Sequence, residues 1–188
     1  MTRTADHPVD LQFLRRWSPR AMSGAPLSRE ALLQLLEAAR WAPSSGNAQP
    51  WRFAYALAGG PDFPRFLDAL VEGNRVWCAR AGALLVLASR TVRAEGKPNP
   101  THAFDAGAAW MSLALQGSFM GLVVHAMAGF DGERARAAAA VPPELQVNCM
   151  IALGHPGRAE ELPEGLRARE QPSGREPVTA FAFEGRFD

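Results

Sequence analysis

Trp41-Ala42-Pro43-Ser44-Ser45-Gly46-Asn47-Ala48-Gln49-Pro50-Trp51 joins a helical pattern to an alternating one. Two prolines bracket a run of small and polar residues, so the loop is stiff and presents hydroxyls, side-chain amides and backbone donors. Such a surface suits the edge of a flat heterocycle with imide character. An ordinary helix-to-strand loop draws on the same residue types, and the loop alone leaves both readings open.

The pattern can be followed outward from this loop. Before it, Ser28 is placed to cap a helix running to about Arg40. Leu32, Leu35, Leu36 and Ala39 fall on one face, and Pro43 ends the helix. After it, Arg52 to Ala58 alternates as a half-buried strand does. A second helix is predicted from Asp62, with Phe63, Phe66, Leu67 and Leu70 as its stripe and Gly73 at its end. A short helix follows over Val76 to Ala81, then a buried strand over Ala83 to Ala88. Lys97-Pro98-Asn99-Pro100 breaks the chain.

Thr101 then starts a long helix to about Met120, stopped by a left-handed Gly121. This helix is apolar all round and almost uncharged after Asp105, so it has to be covered on every side. A chain of 188 residues has difficulty covering it alone, which points to a second subunit. Strands over Leu122 to Met127 and Val147 to Leu153 flank a short helix capped by Asp131. His155 to Pro177 is an irregular arm, and Val178 to Phe183 alternates as a final strand. Helices and strands without βαβ repetition predict an α+β fold, and the length favours one domain spanning 1–188, with 155–188 as an extended arm and strand.

Composition narrows the partners. Twenty Lys and Arg against nineteen Asp and Glu give no reason to expect nucleic acid or a membrane surface. No apolar run is long enough to span a bilayer, and Met1 to Pro8 carries none of a signal peptide's features. The two cysteines, Cys78 and Cys149, read as buried structural thiols, and a cytoplasmic location is expected. No Cys or His spacing suits a metal, and there is no dinucleotide fingerprint, P-loop or nucleophile elbow. His125 lies in an apolar strand and reads as a satisfied core residue.

Two basic segments complete the set. Arg15-Arg16-Trp17-Ser18-Pro19-Arg20 offers guanidinium forks and a hydroxyl, which match phosphate oxygens, although a solvated basic turn has the same composition. Pro172-Ser173-Gly174-Arg175-Glu176-Pro177 places another arginine in a turn near the C-terminus.

Together these segments resemble the nitroreductase family of flavoproteins, from about Phe13 to Phe187. The family's Arg-x-Ser-x-Arg pattern is met by Arg16, Ser18 and Arg20. Its Pro-Ser-Ser-x-Asn-x-Gln-Pro-Trp pattern is met in full by Pro43, Ser44, Ser45, Asn47, Gln49, Pro50 and Trp51. Its C-terminal basic turn is met by Ser173-Gly174-Arg175, with Ser173 where many members carry lysine. The resemblance implies a mostly antiparallel central sheet flanked by helices, and a C-terminal strand exchanged with the partner of a homodimer. It implies FMN at the dimer interface, with the Pro43-to-Asn47 loop reaching the flavin of the other subunit. Arg15, Arg16, Ser18 and Arg175 would serve the phosphate, and Arg20 the negative charge near N1 and O2 of the reduced ring. Asn47 and Asn74 would bond the ring or ribityl chain, and Ala128-Gly129 would lend backbone near N5. The acidic residue usual near Ala128-Gly129 is absent, so only the backbone role carries over. Gly154, after the last core strand, reads as a turn glycine, with a phosphate-side contact as the alternative.

The resemblance further implies that hydride passes from NAD(P)H through FMN to nitroaromatic, quinone or similar small electron-poor acceptors. No side chain is then needed as a catalytic residue, because the cofactor carries the chemistry. Two other readings keep the same segments: an FMN-binding module or carrier without turnover, and a specialised flavin enzyme of the same fold. The lack of a long insertion weakens the specialised enzyme.

Overall fold

The computed structural model describes residues 3–187; Met1, Thr2 and Asp188, the ends of the expected domain, lie outside the described residues. Four strands form one antiparallel sheet. They are β1 (Trp51–Leu57), β2 (Ala83–Arg90), β3 (Val123–Met127) and β4 (Leu145–Gly154), in the order β1-β2-β4-β3. β2 is buried along Ala83 to Ser89 because both of its faces are covered. Leu84 and Val86 look to one side; Leu85 and Leu87 look to the other, as the two-residue period of a strand requires.

One layer of helices comprises α3 (Phe63–Asp68), α4 (Glu72–Cys78) and α6 (Gly132–Ala138). Phe63, Phe66, Trp77 and Ala135 bury there against Leu84, Val86, Met150 and Ala152. The opposite layer comprises α2 (Arg29–Arg40) and α5 (His102–Phe119). Leu32, Leu35, Ala109 and Leu113 close on Leu85, Leu87, Ile151 and Leu153. The expected α+β fold, an antiparallel sheet flanked by helices, is therefore what forms.

The local signals act as expected at several ends. Ser28 Oγ accepts the Ala31 N–H at 3.0 Å, and Asp131 Oδ1 accepts that of Arg134 at 3.0 Å. Gly121 takes φ +67 after α5. Three expectations need correction, and one element was not expected. The helix from Asp62 ends at Asp68, and Gly73 lies inside α4 rather than closing the helix before it. The short helix expected over Val76 to Ala81 accordingly starts earlier, at Glu72, and ends at Cys78. A one-turn helix, α1 (Leu11–Arg15), precedes the first basic segment. Val178–Ala180 is a 3-10 turn, not a strand: among the described residues it pairs with no strand of the sheet, and a lone strand leaves its backbone unpaired.

The arm after β4 is tied back onto the N-terminal basic segment. Ser23 N donates to His155 O at 3.0 Å, Gly157 N donates to Ala21 O at 2.9 Å, and Met22 bridges to Pro156. A Cβ at Gly157 would collide with the Met22 backbone, so the arm can approach this closely only at a glycine. The approach carries Glu170 and the Ser173-to-Arg175 turn over residues 16–20. α7 (Glu164–Arg167) and a 3-10 turn at Ala159–Glu161 lie within the arm.

Candidate functional site

After α1 the backbone is extended at Arg16, and residues 16–20 run on without helix or strand. Arg16, Ser18 and Arg20 all line one cavity of about 390 Å³, with His125 of β3 and Ser173 and Arg175 of the arm. The two basic segments, 155 residues apart from Ser18 to Ser173, thus meet as a single site. Arg16 Nη1 donates to Ser18 Oγ at 3.2 Å, and Arg175 Nη1 to Ser173 Oγ at 3.1 Å.

The charges of this cavity are unbalanced. Arg3 and Arg169 also line it, making five guanidinium groups. Of the five, only Arg20 faces a carboxylate among the described residues, that of Glu170: its side chain is 3% exposed, and Oε1 accepts the N–H groups of Arg20 at 2.6 Å and Ala21 at 2.8 Å. Oε2 has no hydrogen bond but lies 3.7 Å from Arg20 Nη1. Arg3, Arg16, Arg169 and Arg175 have no carboxylate within ion-pair distance among the described residues. Burial holds the Arg16 guanidinium below its ordinary value, and the nearby charges of Arg175 and Arg3 add to the effect. Burial does the same to Arg3, with Arg175 second. Such a cluster is stabilised by an anion with several oxygens, so its donor set fits a phosphate monoester.

His125 closes the inner wall. Its Nδ1 lies 2.9 Å from Pro19 O, which can only accept, so that nitrogen carries the proton. The ring packs on Trp77 of α4 at 4.8 Å between centroids, and burial holds its pKa below the ordinary histidine value. One turn earlier in α4, Asn74 Nδ2 donates to Gly129 O at 2.9 Å, and Val71 N donates to the same carbonyl at 3.2 Å. A Cβ on Gly129 would lie 2.6 Å from Asn74 Nδ2, so this contact requires glycine. Asn74 and Gly129 therefore meet as a pair, with Ala128 exposed beside them. Arg15 sits apart, on a neighbouring cavity of about 310 Å³ between Trp17 and α5.

The Pro43-to-Gln49 loop is held rigidly in an uncommon backbone form. Gly46, Asn47 and Gln49 have φ of +57, +55 and +46. Left-handed non-glycine residues cost on the order of 1–3 kcal/mol each and persist where the surroundings impose them. Here Ser44 Oγ accepts the Gln49 N–H at 3.0 Å, and Gln49 Nε2 donates to Asn47 Oδ1 at 3.1 Å. Asp105, 3% exposed at the start of α5, accepts the Ser45 N–H with both oxygens at 3.3 Å. Asn47 and Gln49 project into solvent.

Within one chain this loop does not reach the arginine cavity. It rests on Asp105, whereas Arg16 and Trp17 lie across a cavity from Ala114 and Ser118. Those positions are roughly 14–20 Å farther along the helix at 1.5 Å per residue. Sequence reading did not single out Arg3, Arg169 or Glu170. A lone arginine in an N-terminal segment and a glutamate in a charged arm have no pattern around them, and only the folded arm gives them their place.

The chain thus joins an antiparallel α/β/α core to a cavity suited to phosphate, with a rigid polar loop set apart from it. A model of the nitroreductase family matches residues 14–73. A solved structure described as an oxidoreductase containing FMN is 45% identical, covers 99% of this chain and 96% of its own, and superposes with a TM-score of 0.95. An uncharacterized 15.4 kDa protein of Mycolicibacterium smegmatis is 35% identical over 136 residues, 70% of this chain and 88% of its own. A nitroreductase family protein of Clostridium difficile shares the fold at 19% identity, with a TM-score of 0.73 over 96% of this chain and 100% of its own. The chain belongs to the nitroreductase family, whose fold is that of FMN-binding oxidoreductases.

Proposed function

We propose that this chain is an FMN-dependent oxidoreductase that takes hydride from NAD(P)H and passes it to small electron-poor acceptors such as nitroaromatics and quinones. The observation that carries this reading is the pair of guanidinium groups without a carboxylate partner among the described residues, Arg16 bonded to Ser18 Oγ and Arg175 to Ser173 Oγ, gathered with Arg20 in one cavity. Bound FMN would supply the reversible acceptance of hydride, a chemistry that belongs to the cofactor and not to side chains.

The residues have separable tasks in this proposal. Arg16, Ser18 and Arg175 hold the phosphate, and Arg20 keeps positive charge at the pyrimidine edge of the ring, tempered by Glu170. Asn74 fixes the Gly129 carbonyl, so the peptide after Ala128 stands still beside the ring. The stretched separation between the Pro43-to-Gln49 loop and the arginine cavity is bridged by a second copy of the chain. In the proposed homodimer each loop, with Asn47 and Gln49 outward, completes the partner's site.

The outer face of α5 supports that assembly. Ala103, Phe104 and Gly107 are exposed, Phe104 to 81%, and Phe119 is exposed to 72%. Covering two such phenylalanines contributes about 1.5–3 kcal/mol each. Val178, Phe181 and Phe183 of the arm are exposed as well, which suits an exchanged segment lying on the partner. The reading takes the chain as one domain. Its free thiols, Cys78 and Cys149, suit the cytoplasm.

Anaerobic mixing of the FMN-loaded protein with NADH and with NADPH tests the proposal. The flavin absorbance is expected to bleach with at least one donor and to return on addition of a quinone or nitroaromatic. Flavin that stays oxidised with both donors would leave a carrier of FMN instead.

A further inference from the structure

We propose that Arg3 is a third guanidinium of the phosphate site, and that phosphate binding there fastens the N-terminal segment to the C-terminal arm. The inference rests on the FMN reading and deepens it. Arg3 Nη1 donates to Arg16 O at 2.8 Å and to Leu14 O at 3.1 Å, while Nε donates to Ser173 O at 3.0 Å. The guanidinium is therefore wedged between the segment bearing Arg16 and the turn bearing Arg175. Among the described residues Nη2 donates to nothing, and the group lines the same cavity as Arg16 and Arg175.

The electrostatics favour an anion over a purely structural strap. A strap needs only carbonyl acceptors, and Arg3 has three of them. Yet the group is held close enough to Arg175 and Arg16 for like charges to oppose one another, with no carboxylate of the described residues within ion-pair distance of the three. Glu170, a buried carboxylate on the same arm, is committed to Arg20 and to two backbone N–H groups. A phosphate monoester carries close to two negative charges and three free oxygens, enough to engage forks from three separate chain segments. A second link, Val178 N to Asp6 Oδ2 at 3.0 Å, already lays the N-terminal segment along the arm. Charge compensation at Arg3 would draw the two segments together.

Binding of FMN, riboflavin and inorganic phosphate to the full chain and to its Arg3→Gln and Arg3→Lys variants tests this. Flavin binding is read by fluorescence quenching, and phosphate binding by the rise in Tm. Arg3→Gln should weaken FMN about tenfold or more, the loss expected for one charge-assisted contact, and riboflavin less than about twofold. It should also abolish much of the phosphate-induced rise in Tm, whereas Arg3→Lys should keep part of both effects. Hydrogen exchange over residues 3–8 of the unaltered protein should slow with FMN or phosphate and not with riboflavin. Equal losses for FMN and riboflavin would make Arg3 a strap and overturn the proposal, as would an unchanged phosphate response. If the unaltered protein binds neither flavin, the FMN reading fails by itself, and the phosphate arm still decides Arg3: a Tm rise lost in Arg3→Gln upholds it, and no such rise, or one retained, overturns it.

Discussion

At the residue scale the account stands on single charges. Arg16→Ala and Arg175→Ala each remove a fork from the cavity, so each should weaken FMN by about 1.5–3 kcal/mol, roughly 10- to 150-fold, and riboflavin far less. Equal losses for both ligands, measured by fluorescence titration, would detach these arginines from the phosphate. Glu170→Gln should act in the opposite sense on redox chemistry. It removes the carboxylate facing Arg20 and leaves more positive charge for anionic reduced flavin. The midpoint potential should rise by on the order of 10–30 mV, the equivalent of about 1 kcal/mol for a two-electron couple; a fall would contradict the placing of Arg20. His125 gives a pH dependence. Burial disfavours its charged form, so its folded pKa is depressed. The neutral ring contributes stability above the unfolded value of about 6.5, and that stability is lost as pH falls below it toward the folded pKa. Replacement by glutamine should flatten the fall in Tm below about pH 6.5, which scanning calorimetry across pH would show. The grouping of Arg16, Ser18, Arg20 and Arg175 was legible because their types and spacing suit one anion, and the structure brings them to one cavity. Glu170 was not, because its partners are backbone N–H groups 149 and 150 residues away.

At the scale of elements, the helices and strands were read from periodicity, and each miss has its own local cause. β2 was visible as a short apolar run because both of its faces are covered. α4 was misplaced by four residues because Glu72-Gly73-Asn74 looks like a stop, yet Val71 N and Asn74 Nδ2 both reach Gly129 O and hold the turn in place. The Val178-to-Phe183 segment has the alternation of a strand and, alone, no edge to join. The seating of α5 depends on Gly117, where a Cβ would overlap the Val124 side chain. Alanine improves helix propensity by about 1 kcal/mol, but overpacking against a buried strand costs about 1–3 kcal/mol. Gly117→Ala is therefore expected to be neutral to destabilising by about 2 kcal/mol in urea unfolding. A clear gain in stability would contradict the packing of α5 on β3.

At the scale of the whole molecule, the Pro43-to-Gln49 loop and the arginine cavity lie toward different ends of α5, and the proposed homodimer would use the uncovered face of that helix to bring them together. The sequence disclosed the need for a cover, since a helix apolar all round cannot face water, but not the separation of the loop from the arginines. If two chains share each site, an Arg16→Ala chain and a chain altered at Asn47 should each bind FMN poorly alone. Mixed after dissociation and reassembly, they should recover up to one strong site per mixed dimer, counted by FMN titration. No recovery in mixed dimers of confirmed composition would place the whole site within one chain. The most direct measurement of the central claim is titration of the flavin-stripped protein with FMN, with the molecular mass followed by light scattering. The account predicts saturable quenching at one FMN per chain on a particle of twice the chain mass. Absence of saturable FMN binding would contradict it.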